Sequence, residues 1–297
     1  MQDERTIRAW RSLQGLALGD AFGSQFFVPG NRQAFIDQTL PGGPWEWTDD
    51  TEMAASVFTT LIEYGEIHQN ALAAAFATHH DFDRGYGPGA NRLLRLIREG
   101  GDWRVLSKDM FDGTGSWGNG GAMRVAPLGA WFADDLEQAA EQAARSAEVT
   151  HAHPEGIAGA VAVAVAAAIA GTGEAIAPGP FLDHVVAHVP VGLVHDGIRR
   201  AREILTIGDP ATAARILGCG RDVSAQGTVP YTLWAVARHL DFYETALWTT
   251  ASAGGDVDTT CAIVGGIIGT RLPGGHLPPE WSRELEPLPA WARVHAD

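Results

Sequence analysis

Cysteine is nearly absent: Cys219 and Cys261 are the two in 297 residues. Neither falls in a Cys-x-x-Cys pair, so nothing supports a zinc knuckle or a redox couple, and both read as reduced, buried thiols. Positive charge is scarce too. Lys and Arg total 21 against 36 Asp and Glu, a net charge of −15. A surface that acidic repels phosphate backbones, so general nucleic-acid binding is not expected. A phosphorylated small ligand stays open, because a bound cation inverts the sign locally. Long hydrophobic runs are missing. The most apolar stretch, 157–170, is short for a bilayer and mostly alanine. The opening MQDERTIRAWRSLQG lacks the apolar core of a signal peptide. These absences predict a soluble, cytoplasmic chain with no membrane contact.

Period-two alternation is also rare, so three or more strands in a sheet are hard to find. The pattern predicts an all-α fold, one compact helical domain over 1–297. Helical spacing places helices at 6–22, 50–64, 70–79, 90–98, 136–149, 154–170, 180–188, 192–205, 210–217, 231–239, 243–253 and 259–269, with a further one after the loop that ends at Pro127. A Gly- and Pro-rich loop is expected from Val28 to Pro44. Pro154, Pro180 and Pro210 suit a first helical position, where the missing N–H costs nothing. The Ala-rich helix reads as a close-packing core element.

Two acidic clusters carry the chemistry. WTDDTEM supplies Thr48, Asp49 and Asp50; GGDVDTT supplies Asp256, Asp258 and Thr259. Either cluster alone is explained by helix capping. A cap needs only one side chain, however, and each cluster offers two carboxylates and a hydroxyl beside a very apolar helix. Unpaired carboxylates near a core are costly, and a divalent cation relieves that cost. The donors are all oxygen, which suits Mg²⁺ or Mn²⁺ rather than Zn²⁺. Whether the clusters meet in space is not written in the sequence.

Between them lies GTGSWGNGGAMRVAP, with glycines at 113, 115, 118, 120 and 121. Glycines expose backbone N–H groups to close approach, and a diphosphate is the obvious guest. A plain glycine-rich turn is the ordinary alternative, and the Walker and Rossmann patterns are absent. VTHAHPEG places His151 and His153 before a helix, where capping or ligand contact is favoured over metal binding. DFDRGYGPG, with Asp81, Asp83 and Tyr86, reads from composition as a surface turn.

GLALGDAFG (15–23), WTDDTEM (47–53), GSWGNGGAMRVAPLG (115–129), THAHPEGIAGA (150–160) and GGDVDTTCAIVGGIIG (254–269) occur in this order. Together they resemble the ADP-ribosylglycohydrolases over nearly the whole chain. The resemblance implies an all-α fold with a binuclear Mg²⁺ or Mn²⁺ centre in a central cleft. The matching metal ligands are Thr48, Asp49, Asp50, Asp256, Asp258 and Thr259. Gly115, Ser116, Trp117, Gly118, Asn119 and Gly120 match the diphosphate-contacting loop. His151 matches a ribose-side contact, and Asp83 a family aspartate near the scissile bond.

One departure stands out: a glutamate that many members carry over the metals is here Phe27. The expected activity is hydrolysis of an ADP-ribose N- or O-glycosidic bond, on an ADP-ribosylated protein or small molecule. Proton transfer would fall to Asp49 or Asp83, the latter having no assigned ligand role. Two alternatives remain: a non-catalytic ADP-ribose or metal-binding protein, which Phe27 favours, and a binuclear hydrolase of another ribosyl or phosphoester substrate.

Overall fold

A computed structural model describes residues 3–292. Its described residues form sixteen α-helices and no strand; extended pairing is confined to two isolated bridges, Trp45 with Leu285 and Gly118 with Ser224. In chain order the helices are α1 (Glu4–Ser24), α2 (Arg32–Ile36), α3 (Asp49–Tyr64), α4 (Gln69–His79), α5 (Pro88–Arg98), α6 (Trp103–Gly113), α7 (Ala126–Trp131), α8 (Leu136–Glu148), α9 (Pro154–Gly171), α10 (Pro178–Val186), α11 (Leu193–Glu203), α12 (Pro210–Leu217), α13 (Ala225–His239), α14 (Tyr243–Ala251), α15 (Val257–Gly269) and α16 (Pro279–Ser282).

Helix α9 is the centre. Every residue from Ala158 to Ala170 is buried, and α7, α8, α13 and α15 pack around it. A helix that is apolar on all faces has to be enclosed. By length and composition α9 could cross a membrane, because the helix is longer than its apolar run. Its burial within the protein assigns it to the core.

Helices α1 and α15 pack backbone against backbone. Gly15, Gly19 and Gly23 recur every fourth residue and so share one face of α1. A Cβ at Gly15 would come within 2.7 Å of the Gly269 Cα, one at Gly23 within 2.6 Å of the Asp258 Cα, and one at Gly19 would strike the Cys261 carbonyl. Ser12 Oγ donates to the Gly266 carbonyl at 2.7 Å and Tyr243 Oη to that of Gly15 at 2.6 Å. This close seam carries Asp20 of α1 alongside the first turn of α15.

Several boundaries differ from the sequence pattern. Helix α13 starts at Ala225, capped by Ser224, and runs through Pro230; the pattern suggested a start at Tyr231. The proline is accommodated because Gly197 of α11 leaves room for its ring. Pro178, rather than Pro180, opens α10. The expected loop after Val28 contains α2. Helix α6 was not anticipated; Asp102 caps it, and its regular backbone ends before Met110, with Phe111 and Asp112 in the left-handed region. Both cysteines are free and buried.

Candidate active site

The two acidic clusters meet. Thr259 Oγ1, in the first turn of α15, lies 3.3 Å from Asp50 Oδ2, in the first turn of α3. Capping does not account for the carboxylates. The cap of α3 is the Thr48 hydroxyl, which accepts from the Asp50 N–H. Asp256 stands at the N-cap of α15 but makes no side-chain cap bond; its Oδ2 accepts instead from Asn119 Nδ2 at 2.7 Å.

Beneath both lies Asp20, fully buried. Its Oδ2 accepts from the N–H groups of Thr48 (2.8 Å) and Thr51 (3.2 Å) and from Thr51 Oγ1. Thr48 Oγ1 sits 2.8 Å from Asp20 Oδ1 and 3.0 Å from Asp50 Oδ2, and its single proton serves only one of them.

The cluster is costly as it stands. Asp50 Oδ1 and Asp258 Oδ1 are buried with no hydrogen-bond partner. Burial, then the neighbouring carboxylates, push the pKa values of Asp50 and Asp258 well above the ordinary carboxylate range. The same causes raise Asp49 to about 8, and burial raises Asp20 to about 6. Repulsion among acids that no buried cationic side chain offsets is the condition a divalent cation relieves. Among the described residues, no three His, Cys, Asp or Glu side chains already close into a ligand cage. The fit rests instead on the two orphaned oxygens and on hard oxygen donors drawn from two helix starts.

A cleft of about 410 Å³ opens over the cluster. Asp49, Asp256, Asp258 and Thr259 line it, together with Ser116, Trp117, Gly118, Asn119, Gly120 and His151. Met110, Phe111, Leu93 and Val223 supply an apolar flank. Thr48, Asp50 and Gly115 do not line it. Asp50 is buried below, and Gly115 packs where a Cβ would meet the His153 N–H.

The Gly-rich loop corrects one expectation. Several of its N–H groups are already used internally: Gly115 N–H by the Met110 carbonyl, Gly118 N–H by Ser116 Oγ and Asn119 N–H by the Val223 carbonyl. The glycines at 118 and 120 make room for His151. A Cβ at either position would stand 3.2 or 3.0 Å from its Nε2. Asn119 also serves the protein itself, as its amide ties the loop to Asp256 and to Thr228 Oγ1. Burial, then the Arg124 charge, hold the His151 pKa down to about 3, so the imidazole is neutral. His153 caps α9.

The turn 81–89 borders the acids, since a Cβ on Gly85 would be 3.7 Å from Asp49 Oδ1. Glu52 holds it by accepting from the Asp81 N–H and Tyr86 Oη. Arg84 pins its other side, paired to Glu286 at 2.7 and 2.8 Å and stacked on Trp47. Asp83 itself is exposed and does not line the cleft. Phe27, on a 3₁₀ turn just past α1, is 56% exposed and does not line it either.

The ADP-ribosylglycohydrolase profile matches residues 1–297. The chain belongs to the ADP-ribosylglycohydrolase family. Its relatives include an ADP-ribosylhydrolase ARH3 from Gallus gallus, 26% identical over 92% of this chain and 88% of the relative. They also include the ADP-ribosylarginine hydrolase Tri1 from Pseudomonas putida, 27% identical over 96% of this chain and 75% of the relative. Among solved structures, an ADP-ribosylglycohydrolase-related protein complex superposes with a TM-score of 0.61, covering 95% of this chain and 93% of its own. At 24% identity that likeness speaks to the fold.

Sequence reasoning missed the supports of this family site. Asp20 was legible in principle, as a lone carboxylate inside the apolar run GLALGDAFG. Arg124 and Glu52 give no such signal, because their partners lie more than 20 residues away in the chain.

Proposed function

We propose that the protein is a metal-dependent ADP-ribosyl hydrolase, releasing ADP-ribose from a modified protein or small molecule by cleaving an N- or O-glycosidic bond. The observation that carries this reading is the acid cluster with two orphaned oxygens, Asp258 in the cleft wall and Asp50 buried below it, beside the segment that bears His151. Thr48, Asp49, Asp50, Asp256, Asp258 and Thr259 would hold two Mg²⁺ or Mn²⁺ ions. Bound there, the ions would supply Lewis-acid polarisation of a water and of the ribose hydroxyls.

The chain's own groups do the rest. Ser116, Gly120 and His151 orient the diphosphate, which is an entropic contribution. His151 is placed there, rather than at the ribose as the resemblance implied, because its Nε2 stands against the loop glycines 118 and 120. Trp117 and Phe111, their ring centroids 5.0 Å apart, cover a flat face of the ligand. Asp49 faces the cleft with one oxygen beside Gly85, and it takes the proton from the attacking water. Asp83, exposed and off the cleft wall, is less suited to that step than its sequence context suggested. Phe27 supports a second reading, in which the fold binds ADP-ribose without cleaving it.

The test is incubation with arginine-linked and serine-linked ADP-ribosylated proteins, with and without a chelator. Release of free ADP-ribose that the chelator abolishes and Mg²⁺ or Mn²⁺ restores is the expected result. Tight ADP-ribose binding with no release from any substrate would replace the enzyme reading with the binding one. Turnover of only an unrelated ribosyl or phosphoester compound would favour a binuclear hydrolase of another substrate.

A further inference from the structure

Arg124 is fully buried. Among the described residues its hydrogen bonds go to Thr150 Oγ1 (Nη1, 2.9 Å), the Ser146 carbonyl (Nη2, 2.7 Å) and Met53 Sδ (3.7 Å), none of them a carboxylate. The guanidinium lies 4.5 Å over the Phe76 ring. A buried charge without a counter-ion is expensive. Packing alone does not explain it, since a methionine or leucine would fill the space without that cost.

What the guanidinium supplies is direction. It is a donor only and cannot accept, whereas a threonine hydroxyl has one proton to give and two lone pairs. Arg124 takes up one lone pair of Thr150 Oγ1. The hydroxyl's other partner is His151 Nδ1, at 2.7 Å. With Arg124 donating on one side, the second lone pair could still accept from an Nδ1–H. The buried Thr150 proton would then have no acceptor, because among the described residues Nδ1 is the one acceptor its hydroxyl meets. The hydroxyl proton therefore points at Nδ1, which accepts. The proton of the neutral ring therefore sits on Nε2. Nε2 is the atom set against Gly118 and Gly120 at the cleft wall.

We infer that Arg124 and Thr150 are positioning residues that fix His151 as its Nε2–H tautomer, making the ring a hydrogen-bond donor to an anionic oxygen of the cleft ligand. That the oxygen belongs to a diphosphate rests on the function proposed above; the tautomer does not. The arrangement also gives the glycines at 118 and 120 a second reason, because the donor needs their missing Cβ atoms to stand at the wall. It removes His151 from any metal site as well, since a protonated Nε2 has no lone pair to offer.

The test is long-range ¹H–¹⁵N correlation of the histidine side chains in ¹⁵N-labelled, ligand-free protein at neutral pH. The His151 signals are identified by their loss in His151→Gln. The expected spectrum shows Nε2 protonated and Nδ1 unprotonated. Thr150→Val should shift the ring toward a mixture of tautomers and weaken ADP-ribose binding about tenfold, roughly the worth of one directed hydrogen bond. Thr150→Ser should restore both. A wild-type ring protonated at Nδ1 would overturn the inference without need of any variant. So would a folded Thr150→Val with the tautomer unchanged. If the wild-type tautomer is Nε2–H but ADP-ribose does not bind, the ligand assignment fails and the positioning role stands.

Discussion

At the residue scale, two carboxylates that the sequence treats alike are separated by where the chain puts them. Asp49 lines the cleft, and the turn glycine Gly85 packs beside it; Asp83, two residues before that glycine, faces solvent. An exposed carboxylate off the cleft has no fixed path to a reacting atom, whereas a general acid or base must lie within hydrogen-bond reach. Asp49→Asn should therefore lower kcat by about 100- to 10,000-fold, the usual contribution of such a group. Asp83→Asn should change it by less than about threefold, within what surface substitutions do. Steady-state rates on one ADP-ribosylated substrate decide this, and the reverse ranking would return Asp83 to the reaction. That WTDDTEM and GGDVDTT do more than cap helices could be read from the sequence, because carboxylate pairs beside apolar helices have few stable uses; that the two clusters meet could not. The composition of DFDRGYGPG predicts a surface turn, and Asp83 is exposed there; its place near the scissile bond was implied by the family resemblance alone.

At the element scale, the site depends on how closely α1 approaches α15. The glycines at 15, 19 and 23 allow the contact, and Asp20, one residue past Gly19, then reaches back to fix the start of α3 through Thr48 and Thr51. Gly19→Val would drive a side chain into the Cys261 carbonyl. It should cost about 1–3 kcal/mol, as overpacking in a tight core does. Urea denaturation reads this directly, and an unchanged midpoint would mean that the two backbones are not in contact. Helices α1 and α3 were legible from their apolar residues, and α9 from its unbroken alanine-rich run opened by Pro154. Helix α6 was not, because its amphipathic face is short and it runs into left-handed residues at Phe111 and Asp112. The first turns of α13 were missed because Pro230 reads as a breaker until its pocket beside Gly197 is known.

At the scale of the whole molecule, the acid cluster couples stability to pH and, under the proposed function, to metal. Asp20 and Asp49 rise from 3.8 to about 6 and about 8, with burial the largest cause in each. Raised values mean that the metal-free fold holds more protons than the unfolded chain. That stability is complete below about pH 4 and is lost as pH climbs through the folded values. Cations require the ionised carboxylates, so they compete best where those protons have left. The rise in Tm on adding Mg²⁺ or Mn²⁺ should therefore grow from pH 5 to pH 8. A metal shift that is flat or shrinks over this range would mean that the cations bind elsewhere.

In the proposed function, helix starts some two hundred residues apart in the chain hold a pair of cations together. Anomalous diffraction from crystals grown with Mn²⁺ measures this most directly. The prediction is two peaks in the cleft floor, bounded by Asp49 and Asp50 on one side and by Asp256 and Asp258 on the other. Peaks confined to surface carboxylates, or none at saturating Mn²⁺, would contradict it.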